Sequence, residues 1–212
     1  VSLLAEIKAA TIAGKAPVVE DLTRQALENG LTLDDIITDG YIAAMTVVGE
    51  KFKNNEIFVP EMLVAARAMK MGLKVLEPAI TAAGERKYLG KIILGTVQGD
   101  LHDIGKNLVG MMLQGAGYEV IDLGTDVKAE KFITAIKEHQ PQVVGLSALL
   151  TTTMRFMGET VKAIGDAYQG QVKVIVGGAP VSERFAGEIG ADGYAADAGS
   201  AVDRVRELIG RD

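Results

Sequence analysis

The spacing of apolar positions changes near residue 91. Up to residue 84 they recur at helical spacing; beyond 91 they gather into short β-branched runs separated by helical stretches. In the first half, Ser2 caps a short helix carrying Leu3, Leu4 and Ile7, which Gly14 ends. Pro17 opens a second helix, with Leu22 and Ala26 facing inward and Asn29-Gly30 as the stop. Thr32 caps a third, in which Ile37, Tyr41, Met45, Val48 and Phe52 fall at spacings of four, four, three and four. Pro60 marks the start of a fourth, with Met62, Ala66, Met69, Leu73, Leu76 and Ile80 on one stripe. Four helices with short connections predict a small bundle.

In the second half, candidate strands cover residues 91–97, 118–123, 142–147 and 173–176, with a weak fifth at 193–195. Helices are expected over 104–115, 127–138 and 200–209. Strands separated by helices imply a parallel sheet covered on both faces. Five such strands fit a flavodoxin-like doubly wound α/β fold, whose ligands bind beyond the carboxyl ends of the strands. The polar, Gly-bounded segment 81–90 reads as a linker. The expected domains are therefore a helical one over 1–84 and an α/β one over 85–212.

Composition narrows the chemistry. The 212 residues include 25 Gly and two His but neither Cys nor Trp. Without Cys there is no disulfide, thiolate zinc site, iron–sulfur cluster or cysteine nucleophile. A formal net charge of −6 lacks the basic face that phosphates require, so no nucleic-acid partner is expected. No run approaches the roughly 18 apolar residues of a membrane span, and no basic segment followed by an apolar one opens the chain. A cytoplasmic protein without a membrane partner is expected, its natural start lying upstream of Val1.

The candidate chemistry follows the first strand, where Gln98 and Gly99 precede Asp100-Leu101-His102-Asp103-Ile104-Gly105. Asp100 can hold one ring nitrogen of His102 and leave the other free for a metal. A loop histidine beside a solvated acidic turn is the plain alternative. One His cannot build an ordinary protein metal site, so a metal here would arrive inside a macrocycle, a haem or a corrinoid. The third strand ends in Ser147-Ala148-Leu149-Leu150-Thr151-Thr152-Thr153, whose hydroxyls suit a ring nitrogen or a phosphate, or the cap of a helix. The fourth ends in Gly177-Gly178, which suits either close approach to a flat ligand or an ordinary turn.

The pattern Asp100-x-His102-x-x-Gly105, then Ser147-x-Leu149, then Gly177-Gly178, resembles the cobalamin-binding domain. The resemblance implies that His102 replaces the cofactor's own base as lower cobalt ligand. It places Gln98, Gly99, Asp100, Asp103, Ile104, Gly105, Ser147, Leu149, Thr151, Thr153, Gly177 and Gly178 around the cofactor and its nucleotide tail. Asp100 and Thr153 would hold or pass the proton that accompanies a change of ligation.

The helical half resembles the cap of methyl-carrying corrinoid proteins, through Asp39-Gly40 and the segments 47–52, 56–61, 68–70 and 76–78. Phe52, Phe58, Val59 and Met62 would lie over the methyl-bearing face, bundle core being the other role open to them. The function so implied is to carry a methyl group on the cobalt of methylcobalamin or a related corrinoid. A substrate-specific methyltransferase would load it. A second methyltransferase, serving tetrahydrofolate or coenzyme M, would unload it, and a reductive activating protein would be a further partner. Such a carrier is non-catalytic alone, and its cap would swing about the linker to admit substrates.

A cobalamin-dependent sensor and a subunit of an adenosylcobalamin mutase are the alternatives. The first would be expected to add a DNA-binding unit, and the second would lack the helical cap. A flavodoxin would want a Ser/Thr-rich phosphate loop after the first strand, and a phospho-receiver an Asp where Ser147 stands.

Overall fold

In the computed structural model, residues 2–83 and 88–210 are described. The chain divides into two units. One holds the helical half up to Tyr88 together with Gly115–Gly117; the other holds Leu89–Gln114 and the residues from Tyr118 onward.

In the helical unit, α1 (Leu3–Ile12) starts on Ser2, whose hydroxyl accepts from the Ala5 amide at 3.3 Å. α2 (Ala16–Glu28) has Pro17 in its first turn, where a missing N–H costs nothing. Its buried face is Val19, Thr23 and Ala26, and the expected inward residue Leu22 is half-buried beside them. The expected third helix is three pieces: α3 (Leu33–Asp35), a π-helical segment (Ile36–Ile42) and α4 (Ala43–Lys53). The wider π turn takes up extra residues. Ile36 rather than Ile37 is therefore buried, while Tyr41, Met45 and Val48 keep their expected inward places.

Tyr41 sits 2.5 Å from the Thr23 hydroxyl. Thr23 gives its own proton to the Val19 carbonyl at 2.6 Å, so the phenol is the donor between them. Burial pushes the Tyr41 pKa up to about 12, against the opposing effect of the Thr23 hydrogen bond. α5 (Val59–Ala83) begins where the Phe58 amide donates to Glu61 Oε2 at 3.0 Å. It continues past Pro78, so residues 81–83 are helix and not linker; of the rest of that expected linker, 84–87 lie outside the described residues.

In the α/β unit, five parallel strands stand in the order β2-β1-β3-β4-β5, as the fold expectation requires. They are β1 (Lys91–Thr96), β2 (Glu119–Asp122), β3 (Val143–Ser147), β4 (Lys173–Gly177) and β5 (Gly193–Ala195). β1 is buried at every position from Ile92 to Thr96, the mark of a strand covered on both faces. Helices α6 (Ile104–Gly115), α7 (Ala129–His139), α8 (Met154–Tyr168), α9 (Glu183–Glu188) and α10 (Ala198–Ile209) connect and follow the strands. Phe132, Ile93, Val144, Met157 and Val174 share one core cluster.

The helices differ from expectation at several points. Val127 makes a parallel bridge with Val97, so α7 begins two residues later. α8 and α9 occupy connections where periodicity names no helix. α10 starts two residues early because Asp197 and Ser200 form a reciprocal capping box. No helix among the described residues is long and apolar enough to cross a membrane.

Strand order places β1 beside β3, with the connection after β1 leading away to β2. The loops after β1 and β3 therefore flank a topological switch point, the position at which this fold holds ligands.

Candidate functional site

Asp100, which follows β1, is fully buried and bridges the two loops. Its Oδ1 accepts from the His102 amide at 3.1 Å and faces His102 Nδ1 at 2.8 Å. Its Oδ2 accepts from the Leu149 amide at 2.7 Å, the Leu150 amide at 3.1 Å and the Thr153 hydroxyl at 2.8 Å. Burial alone would raise the Asp100 pKa. The donors from Leu149, His102 and Thr153 outweigh it and hold the carboxyl well below the usual carboxylate range. The side chain is thus an anion at neutral pH.

An ionised carboxylate only accepts, so His102 Nδ1 carries a proton, and in the neutral imidazole Nε2 then keeps its lone pair. The His102 side chain is 52% exposed, and Nε2 has no hydrogen bond among the described residues. Among those residues no group of three or more His, Asp and Glu converges on a metal position. His102 therefore offers one outward-facing ligand on a fixed mount.

Residues distant in sequence complete the mount. Thr96, buried at the end of β1, donates to the His102 carbonyl at 2.9 Å. Asp126 accepts from the Gly99 amide at 2.7 Å and donates its own amide to the Asp100 carbonyl at 2.9 Å. Neither Thr96 nor Asp126 is marked by a motif, and only the adjacency of β1 and β2 brings Asp126 near.

The other expected site residues divide. Gln98 and Asp103 are half-buried, and Gly99, Ile104 and Gly105 are exposed, all on the His102 loop. Leu101, Ile104, Leu149 and Leu150 form exposed apolar surface on the two switch-point loops. Ser147 is half-buried at the end of β3 and Thr151 is exposed. Thr153 is buried on Asp100, so its hydroxyl is taken. The two glycines have a reason within the protein. A Cβ on Gly178, at φ +130°, would overlap the Ala148 carbonyl oxygen, and one on Gly177 would lie 2.9 Å from the Ala195 oxygen. Of the four residues on the helical unit, Phe58 is 64% exposed, Phe52 and Val59 are half-buried, and Met62 is buried.

Fold and site together define a doubly wound α/β domain that presents a single mounted imidazole beside exposed apolar loops, with a helical unit ahead of it in the chain. The site fits a metal held in a large, largely apolar macrocycle. The imidazole would hold the metal, the exposed leucine and isoleucine side chains would give the macrocycle contact area, and a Cβ at Gly105 would meet nothing within 4 Å.

Comparison with known proteins agrees. Residues 90–203 match the B12 binding domain, and residues 3–77 match a second B12 binding domain model. A corrinoid protein of Desulfitobacterium hafniense is 45% identical, covering 99% of both chains. Trimethylamine corrinoid protein 2 of Methanosarcina acetivorans is 42% identical, covering 91% of this chain and 89% of its own. The crystal structure of the methanol:cobalamin methyltransferase complex of Methanosarcina barkeri includes a chain 28% identical. That match has a TM-score of 0.85 over 99% of this chain and 80% of that one. The chain belongs to the B12-binding family of corrinoid proteins, and its cofactor is a cobalamin.

Proposed function

We propose that this protein carries a methyl group between two methyltransferases, with His102 as the lower ligand of the cobalamin cobalt. The observation that carries the reading is the mounting of His102: Nδ1 tied to a buried, ionised Asp100 on a side chain that stays half-exposed, with no hydrogen bond to Nε2 among the described residues. When bound, the cobalamin supplies a cobalt centre that accepts and gives up the methyl group.

The protein's part is to bind, orient and shield. Asp100 fixes the tautomer and the ring direction of His102. Leu101, Ile104, Leu149 and Leu150 give the macrocycle apolar contact. Gln98, Gly99, Asp103, Gly105, Ser147, Thr151, Gly177 and Gly178 surround the cofactor and its nucleotide tail. Thr153 acts through Asp100 by holding one of its oxygens. On the helical unit, Phe58, Phe52 and Val59 supply apolar cover that keeps water from the reacting centre, and Met62 supports them from the interior.

The partners are a substrate-specific methyltransferase, a second methyltransferase serving tetrahydrofolate or coenzyme M, and a reductive activating protein. Relatives named for trimethylamine and for dimethylamine match at nearly the same identity, 42% and 41%. The methyl donor is accordingly chosen by the partner enzyme and not by this chain.

The test is reconstitution with cobalamin followed by visible absorption, and by electron paramagnetic resonance of the Co(II) form. The wild-type protein is expected to take up cobalamin and show superhyperfine splitting from one imidazole nitrogen. In wild type made with 15N-histidine that splitting is expected to change from a triplet to a doublet, and in His102→Ala the histidine label is expected to have no effect. A wild-type splitting that ignored the histidine label would overturn the ligand assignment, because the cofactor's own base also offers one nitrogen.

A further inference from the structure

Lys106, in the first turn of α6, has a side chain only 3% exposed and yet stands in an ion pair. Its ammonium is paired with Asp122 Oδ2 at the carboxyl end of β2, and it also donates to Asn107 Oδ1 at 2.8 Å. Both partners continue outward. Asn107 donates through Nδ2 to Asp103 Oδ2 at 3.0 Å. Asp122 Oδ1 accepts from the Gly124 amide at 2.9 Å, and the Gly124 carbonyl accepts from the Thr96 amide at 2.9 Å. Thr96 closes the circuit by donating to the His102 carbonyl at 2.9 Å.

The contacts thus form a ring that leaves the chain at His102 and returns to it at Asp103. Asp100 ties the His102 loop to the β3 side of the switch point, and Lys106 ties it to the β2 side.

A buried ion pair is a weak device for stability, because desolvation of the ammonium offsets most of the Coulomb attraction. An apolar side chain of similar length would fill the same space. What such a side chain would not do is fix the spacing between the end of β2 and the first turn of α6. From this geometry we infer that Lys106 is a positioning residue for the cobalt ligand: it sets the height and direction of His102 by locking its loop to Asp122. The inference rests on His102 being the lower ligand.

The variants Lys106→Met and Asp122→Asn, in the full chain, test it. Amide hydrogen exchange in the cofactor-free protein reads the loop directly. Residues 100–107 are expected to exchange about tenfold faster in Lys106→Met, with the melting temperature little changed. With cobalamin added, both variants are expected to bind about tenfold more weakly, within the range for residues that orient a metal ligand. The imidazole superhyperfine signal should broaden or fall in amplitude. Unchanged exchange over 100–107, or wild-type affinity and signal in both variants, would overturn the inference. Should Lys106→Met fail to fold, Asp122→Asn decides alone, since Asp122 is half-exposed and breaks the same pair from the other end. His102→Ala run in parallel separates the two assignments. If the wild-type splitting, like that of His102→Ala, did not respond to 15N-histidine, the ligand assignment would fall, and the exchange of the cofactor-free protein would still decide whether Lys106 holds the loop.

Discussion

Asp100 shows how one side chain can serve two loops. Its two oxygens face opposite ways, one to His102 and the other to the Leu149–Thr153 segment, and every near neighbour is a donor. Asparagine cannot replace it, because its NH2 group would confront donors on either side. Asp100→Asn is expected to cost about 2–3 kcal/mol at pH 7, in line with losing hydrogen bonds to a charged group, as urea unfolding would show. The pH dependence follows from the direction of the pKa shift. A carboxyl whose folded pKa lies below the unfolded value of about 3.9 contributes its stability above that value. The contribution is lost as pH falls from about 4 toward the folded pKa. The stability difference between wild type and Asp100→Asn should be flat from about pH 5 to 8 and shrink below about pH 4. A difference that grew on acidification would refute the charged-acceptor role. The Asp100–His102 pair was legible in the sequence because its members are two residues apart. Thr153 was named beside Asp100 through the family resemblance; the parts played by the Leu149 amide and Asp126 were not legible, since they come from elements that only the sheet order brings close.

Among the elements, the π-helical segment separates what periodicity can read from what it cannot. A stripe of apolar residues at spacings of three and four fits an α-helix on either side of a wider turn. The third helix was therefore recognisable, but its entry position was one residue off, with Ile36 inside in place of Ile37. The strands were legible because full burial writes unbroken apolar runs into β1 and β3. α9 was not, because six residues are too few to show a period. The π segment also delivers Tyr41 to Thr23, and this has an alkaline signature. The phenol's folded pKa of about 12 lies above its ordinary value of 10.0. The unfolded chain thus gives up this proton first as pH rises, and the folded state loses relative stability through that window. Tyr41→Phe lacks this loss. The stability of wild type relative to Tyr41→Phe should be constant below about pH 10. Between pH 10 and 12 it should fall by about 1.4 kcal/mol per unit. A flat difference up to pH 12 would show that the buried phenol titrates normally.

For the whole molecule, the question is whether the proposed cover from the helical unit adds to what the α/β unit provides. Absences in the composition anticipated part of the answer. With no Cys and one His in the candidate loop, any metal had to bring its remaining ligands with it. The loop bearing His102 and the loops after β3 and β4 all belong to the α/β unit, whereas Phe52, Phe58 and Val59 belong to the helical unit. The two assignments can be tested separately. A ligand that binds only the folded state adds about 2.7 kcal/mol at 100 times its Kd, and the added protection falls where the contacts are. Cobalamin at that concentration is expected to slow amide exchange over 99–105 and 147–153. If the helical unit covers the cofactor, exchange should also slow over 52–62, although those residues hold none of the cobalt ligands. His102→Ala should keep the second effect in part, since apolar cover does not need the axial bond. Protection confined to the α/β unit would remove Phe52, Phe58 and Val59 from the site and leave His102 in it. Protection confined to the helical unit would do the reverse.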